Sequence, residues 1–197
     1  CAHYACQYIL PFVFHEEEGM WTYKPGFIGK PDVAFKHLST QLAWVKMGNT
    51  PRLEYYANLH NEPYTYGSGM GVRTYPPQPW DNEIENIRKK LLDEAGIDYD
   101  VCFLNRYMNQ SDSLGWHADD SPEMDGKKPI AIVSFGVERE IWFRPYANPK
   151  DITKLKLGHG SLCLMHAGMQ KLFQHRIPKA SFVCGERISM TYRGFVF

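Results

Sequence analysis

The stretch Asn105-Arg106-Tyr107-Met108-Asn109-Gln110-Ser111-Asp112-Ser113-Leu114-Gly115-Trp116-His117-Ala118-Asp119-Asp120 decides how the chain is read. It places His117 and Asp119 two residues apart at the end of an expected β-strand. Side chains two apart on an extended strand share a face, so an imidazole and a carboxylate project into one space. That is two thirds of the 2-His-1-carboxylate set that holds non-haem Fe(II) and leaves positions open for substrate and oxygen. Taken alone, a His-x-Asp step more often marks a polar surface, so the decision rests on what surrounds it.

A third ligand should lie downstream, on a later strand. His159, between Gly158 and Gly160, has the setting of a turn residue. His166 follows an apolar strand and suits a capping or core role, and His175 precedes Arg176-Ile177-Pro178. Spacing alone leaves the choice open. The last strand adds chemistry, because Arg187, Ser189, Thr191 and Arg193 alternate with Ile188, Met190 and Tyr192. Two guanidiniums facing inward need anions, and a dicarboxylate supplies them by bidentate pairing. An exposed face on an edge strand is the plainer alternative.

Composition fits one domain with an extension: 197 residues, 44% hydrophobic, formal net charge +0. The charge is uneven. From Lys154 to Arg193 the basic residues Lys154, Lys156, Lys171, Arg176, Lys179, Arg187 and Arg193 face one acid, Glu186, which suits a polyanion partner or an ordinary solvated surface. The five cysteines form no Cys-x-x-Cys step, so neither a zinc site nor a disulfide framework is expected. Cys102 and Cys163 lie in apolar runs as core thiols, which fits a reducing compartment. No apolar run is long enough to span a bilayer, so no membrane partner is expected.

Residues 1–22 form an extension of unclear role. Asp32 resembles a helix N-cap, with Ala34, Leu38 and Leu42 at spacing four and an end near Trp44. Residues 45–79 are rich in Gly, Pro, Asn and Tyr and have the character of binding loops. Residues 80–96 give a clear helix, started by Pro79 and Asp81, faced by Ile84, Ile87 and Leu91, and stopped by Gly96. Short apolar strands follow from residue 98. The expected fold is mainly β with flanking helices (α+β), around a jelly roll, the double-stranded β-helix.

The ordered set Asn105-Arg106-Tyr107, His117-Ala118-Asp119-Asp120, Ile132-Val133-Ser134-Phe135-Gly136, His159-Gly160-Ser161-Leu162, His175-Arg176-Ile177-Pro178 and Arg187-Ile188-Ser189-Met190-Thr191-Tyr192-Arg193 resembles the AlkB family, nearest its DNA-repair branch. The likeness covers roughly residues 23–197. It implies Fe(II), 2-oxoglutarate and O2 as cofactors, with His117, Asp119 and His175 as metal ligands. It implies Asn105, Tyr107, Arg187, Thr191 and Arg193 around 2-oxoglutarate, Arg187 on the far carboxylate and Arg193 nearer the metal. The family usually carries Asn where this chain has Ser189, which touches one co-substrate hydrogen bond. Within the domain, 44–79 would be the nucleotide-recognition part and 98–197 the jelly-roll core.

By the same resemblance, Tyr64-Thr65-Tyr66-Gly67-Ser68-Gly69 is similar to the lesion-binding segment, with a flipped base stacked between Tyr66 and His117. Trp44 falls where a finger residue fills the gap left by that base, with a core tryptophan as the equal reading. Arg52 and Asp120 complete the expected substrate contacts, with a solvated acid as the equal reading of Asp120. The implied activity is oxidative removal of alkyl groups from bases such as 1-methyladenine and 3-methylcytosine in DNA. It yields succinate, CO2 and an aldehyde. RNA or a protein side chain is the rival substrate, and a non-catalytic jelly-roll binding module is the rival class. The expected setting is an intracellular monomer, nuclear in a eukaryote and cytoplasmic in a bacterium.

Overall fold

The computed structural model describes residues 19–66 and 72–196. Most of the chain lies in two antiparallel sheets. The larger runs, in spatial order, β1 (Trp21–Lys24), β10 (Ser161–Met165), β7 (Ile130–Gly136), β12 (Arg187–Arg193), β5 (Val101–Tyr107) and β2 (Leu53–Asn58). The smaller runs β6 (Leu114–His117), β11 (Phe173–Ile177), β8 (Arg139–Pro145) and β9 (Thr153–Leu157). A separate ribbon pairs β3 (Tyr64–Tyr66) with β4 (Arg73–Tyr75). This is the expected double-stranded β-helix with helices outside it. Strand β1 takes Trp21 and Thr22 of the expected extension into the sheet, opposite Met165 and Leu164. Residues 1–18 lie outside the described residues.

Strand alternation explains the layers. On β7, Ala131, Val133 and Phe135 face one way, and Ile130 and Ile132 the other. The first set packs under α1 (Pro31–Gln41) and α2 (Asn82–Ala95), against Leu38, Ile84, Ile87 and Leu91. The second set packs between the sheets with Phe143, Leu157, Cys163 and Met165. Burying each such side chain contributes about 1.5–3 kcal/mol. Cys102 and Cys163 are buried free thiols.

The α2 helix forms where the sequence places it. The Asp81 side chain accepts the Glu83 N–H, and Gly96 closes the helix at φ +70°, donating to Leu92 O. The α1 start differs from expectation. Pro31 opens the helix after Lys30, and Asp32 sits within the first turn, where it pairs with His159 (3.1 Å) instead of capping. The helix ends at Gln41, short of Trp44. No described helix is long and apolar enough to cross a membrane.

Candidate active site

Strand β6 ends on His117, and in-register pairing sets His175 of β11 directly opposite it. The two imidazoles lie 4.2 Å apart, centre to centre. Asp119, just past β6, reaches both: Oδ1 is 3.5 Å from His117 Nε2, and Oδ2 is 3.7 Å from His175 Nε2. One ligand atom from each of the three falls within 4.8 Å of the others, a spacing that could hold a metal ion. His117 Nδ1 donates to Gly115 O at 2.8 Å, which leaves the Nε2 lone pair turned to the cluster. The Asp119 N–H donates to Gln170 Oε1 (2.9 Å), on the short helix α3 (Met169–Leu172) that precedes β11.

Burial sets the charge states. It lowers the His117 imidazole below its usual range and pushes His175 down to about 3, so both are neutral donors. Burial would raise Asp119, but the Arg193 guanidinium, 2.7 Å away, and the two imidazoles hold it below the ordinary carboxylate value. Two neutral nitrogens and one anionic oxygen are the donor set that suits Fe(II).

Strand β12 is central, not an edge. It lies between β7 and β5, and all seven residues are buried. Arg187 is 0% exposed, stacked 5.3 Å from the Tyr107 ring. Its Nη2 donates to Ser134 Oγ (2.9 Å) and Ser189 Oγ (3.4 Å), while its buried Nε and Nη1 meet no acceptor at hydrogen-bonding geometry. Burial lowers this guanidinium to about 10, so it stays charged at neutral pH. A buried cation with two idle donors is costly alone and matches one end of a dicarboxylate. Ser189, where Asn is usual, spends its hydroxyl on Arg187. Thr191 lies two residues on in the same inward row, opposite Phe103.

A cavity opens on the cluster. His117, Asp119 and Arg193 form its polar end. Tyr64, Tyr66, Tyr75 and Phe103 form its aromatic side, with the Tyr64 hydroxyl held by Ser121 at 2.8 Å. Arg52, Glu54 and Asn105 close it. Arg52 donates from Nε to Asn105 Oδ1 (2.7 Å) and from Nη2 to Glu54 Oε1 (2.6 Å), and Glu54 Oε2 accepts from Tyr75 (3.1 Å). Sequence reasoning missed Glu54, Tyr75 and Phe103. The one available signal was the alternation of Arg52, just before β2, with Glu54 and Tyr56 on it.

Two expected contacts lie elsewhere. Trp44 packs on the helix-side core, its indole N–H donating to Leu38 O (3.0 Å) and its ring edge-on to Tyr55. Asp120 is exposed and lines an adjoining hollow with Ser121 and His166, not the cavity. Gly67, Ser68 and Gly69 lie outside the described residues. Arg187 and Arg193 are buried, so the positive surface is smaller than the sequence count implies. His159 is the turn residue expected, its Nδ1 accepting from the Gly136 N–H at 2.9 Å.

Facing sheets with two histidines and a carboxylate at one end, and a buried arginine without a counter-anion in the same fold, are the features of a non-haem iron oxygenase with a carboxylate-bearing co-substrate. The 2OG-Fe(II) oxygenase superfamily profile matches residues 9–193. The bovine alpha-ketoglutarate-dependent dioxygenase alkB homolog 3 is 30% identical over 188 residues, covering 86% of this chain and 64% of the relative. The mouse DNA oxidative demethylase ALKBH2 is 28% identical over 177 residues, covering 82% and 74%. The solved structure of OsALKBH1 superposes with a TM-score of 0.65 at 16% identity, over 93% of this chain and 100% of that one, and supports the fold.

The chain belongs to the AlkB family of the 2OG-Fe(II) oxygenase superfamily. Fe(II), 2-oxoglutarate and O2 are the cofactors this membership entails. The neutral-neutral-anionic donor set and the idle Arg187 donors fit the metal and the dicarboxylate.

Proposed function

We propose that the protein removes alkyl groups from ring nitrogens of DNA bases, of the 1-methyladenine and 3-methylcytosine kind. One observation carries the reading: an aromatic-walled cavity lined by His117 and Asp119 of the His117–Asp119–His175 cluster, in a fold that also buries an arginine lacking an anion. The names of the alkB homolog 3 and ALKBH2 relatives support it. Iron and 2-oxoglutarate, when bound, supply the oxidation: O2 is consumed, 2-oxoglutarate becomes succinate and CO2, and one oxygen enters a C–H bond of the alkyl group.

The chain's own residues do the positioning. His117, Asp119 and His175 hold the metal. Arg187 takes the far carboxylate of 2-oxoglutarate, in a pocket shaped by Asn105, Tyr107 and Thr191. Arg193, already on Asp119, borders the metal-proximal end and keeps that ligand anionic. Tyr66 and His117, both lining the cavity, flank the flipped base, and Tyr64 backs Tyr66 at 6.3 Å. Each cavity carboxylate is matched by an arginine, Glu54 by Arg52 and Asp119 by Arg193. Attraction for a cationic lesion therefore comes from the aromatic rings, not from a bordering acid. The hydroxylated alkyl group then leaves as an aldehyde, restoring the base.

In this reading residues 44–79 serve recognition, through Arg52 and the Tyr64–Tyr66 strand, and residues 98–197 hold the chemistry. The buried free thiols fit a reducing intracellular setting. The test presents 1-methyladenine in matched DNA and RNA oligonucleotides and follows the methyl group by mass. Loss on DNA supports the proposal. Loss on RNA alone would replace the substrate, and loss on neither would overturn it.

A further inference from the structure

The outward faces of β6, β11, β8 and β9 carry residues that the site does not use. Trp116 and Arg176 stand beside the inward His117 and His175 on the same strands, so they point to the opposite side of the sheet. The Arg176 guanidinium lies 4.2 Å from the Trp142 ring and 4.8 Å from the Trp116 ring. Arg144 lies 4.2 Å from Trp116, and Lys154 Nζ 4.3 Å from Trp142. Cations and indoles thus alternate across four strands.

Among the described residues, Arg144, Arg176, Lys154 and Lys179 lack counter-ions. Arg176 makes no hydrogen bond or ion pair with any described residue, and its Nε is buried without an acceptor. Among the described residues, Arg144 donates only to the neutral Gln174 (3.0 and 2.7 Å). Lys154 and Lys179 have no carboxylate partner among the described residues. The nearby acids are engaged, Glu140 by the Trp142 indole (2.7 Å) and Glu138 by Lys156 (3.6 Å). Burial and the neighbouring Arg144 charge both lower the Arg176 guanidinium, so the pair is held together against repulsion. Stacking on indoles fixes guanidinium planes while leaving N–H edges free, which suits phosphate.

The surface and the cavity share a lining residue. A hollow lined by Ser113, Leu114, Trp142, Arg176 and Lys179 shares Leu114 with the catalytic cavity, across the edge strand β6. We infer that the outer face of the smaller sheet, centred on Arg144 and Arg176, is a docking track for the phosphate backbone of the nucleic acid flanking the lesion. The inference rests on the proposed function. The track reads no sequence, because phosphate contacts position a strand without identifying bases.

The test measures binding of an unmodified single-stranded oligonucleotide, and of the same sequence as duplex, to Mn(II)-loaded protein across a salt series. Binding needs no turnover. Arg144→Gln with Arg176→Gln should lower the slope of log affinity against log salt by about 1.4 on single strands, about 0.7 per lost phosphate contact. Arg144→Lys with Arg176→Lys should restore the slope, since charge is kept. If the glutamine pair fails to fold, Lys154→Gln with Lys179→Gln should give a drop of the same size. An unchanged slope in a folded variant, even one with a lower melting temperature, would make the ladder structural and overturn the inference. A slope that falls while the wild type dealkylates nothing would keep the track and remove the proposed function. Wild-type protein that binds neither strand form would overturn both.

Discussion

At the scale of single residues, the fold places charges where only a ligand can balance them. Arg187 is fully buried and has two donors without acceptors. Arg187→Ala should therefore raise the 2-oxoglutarate requirement about 10- to 100-fold, the worth of one or two charge-assisted hydrogen bonds. It should leave nucleic-acid binding close to wild type. Steady-state turnover against 2-oxoglutarate concentration checks it, and an unchanged requirement would put the co-substrate elsewhere. These arginines were legible because strand alternation exposes an inward row of charge, and so was the His117–Asp119 step. The third ligand was not: His159, His166 and His175 each follow plausible strand or turn residues, and only the β6–β11 register sets His175 opposite His117. The Arg52–Glu54–Tyr75 network was hidden because Glu54 and Tyr75 come from β2 and β4, which form separate sheets.

At the scale of elements, the turn after β7 controls where β12 begins. Gly136 sits at φ +85°, and a Cβ there would lie 2.3 Å from Glu186 O, the residue before Arg187. Gly136→Ala should destabilise the protein by about 1–3 kcal/mol from backbone strain, with the clash added. For a chain of this size each 1 kcal/mol lowers the melting temperature by about 2–4 °C. The 2-oxoglutarate requirement should rise with it, because the clash displaces the start of the strand that carries Arg187. An unchanged melting temperature would contradict this. The α2 helix was legible from end to end because Asp81, its apolar face and Gly96 act locally. Asp32 misled because a cap and a first-turn acid occupy neighbouring positions, and Pro31 decides between them by taking the first helical residue. For Trp44 the sequence left a finger and a core residue open, because the Leu38 carbonyl that holds its indole belongs to the preceding helix and leaves no mark in the motif.

At the scale of the whole molecule, both sheets bury a titratable cluster between them, and acid should open it. His117 and His175 are lowered on folding, so between their folded values and about 6.5 the unfolded chain binds more protons. Asp119 is also lowered and adds a term of the same sign below the ordinary carboxylate range. Stability of the metal-free protein should fall as pH drops from about 6.5 toward about 3. Urea midpoints across that range check it. A midpoint that rises on acidification would mean the imidazoles are not buried as neutral donors. The fold class was legible from helices followed by short strands, but the pairing order was not, since strands adjacent in space lie far apart in sequence, as β12 does from both β7 and β5.

The most direct test counts products in one vessel. Iron-loaded protein is given 2-oxoglutarate, O2 and DNA carrying 1-methyladenine, and succinate, formaldehyde and restored adenine are measured together. The account predicts one succinate and one formaldehyde for each methyl group lost in the wild type, and none of the three from Asp119→Ala. Methyl loss without 2-oxoglutarate, wild-type yields from Asp119→Ala, or no succinate from a folded, iron-loaded sample would contradict it.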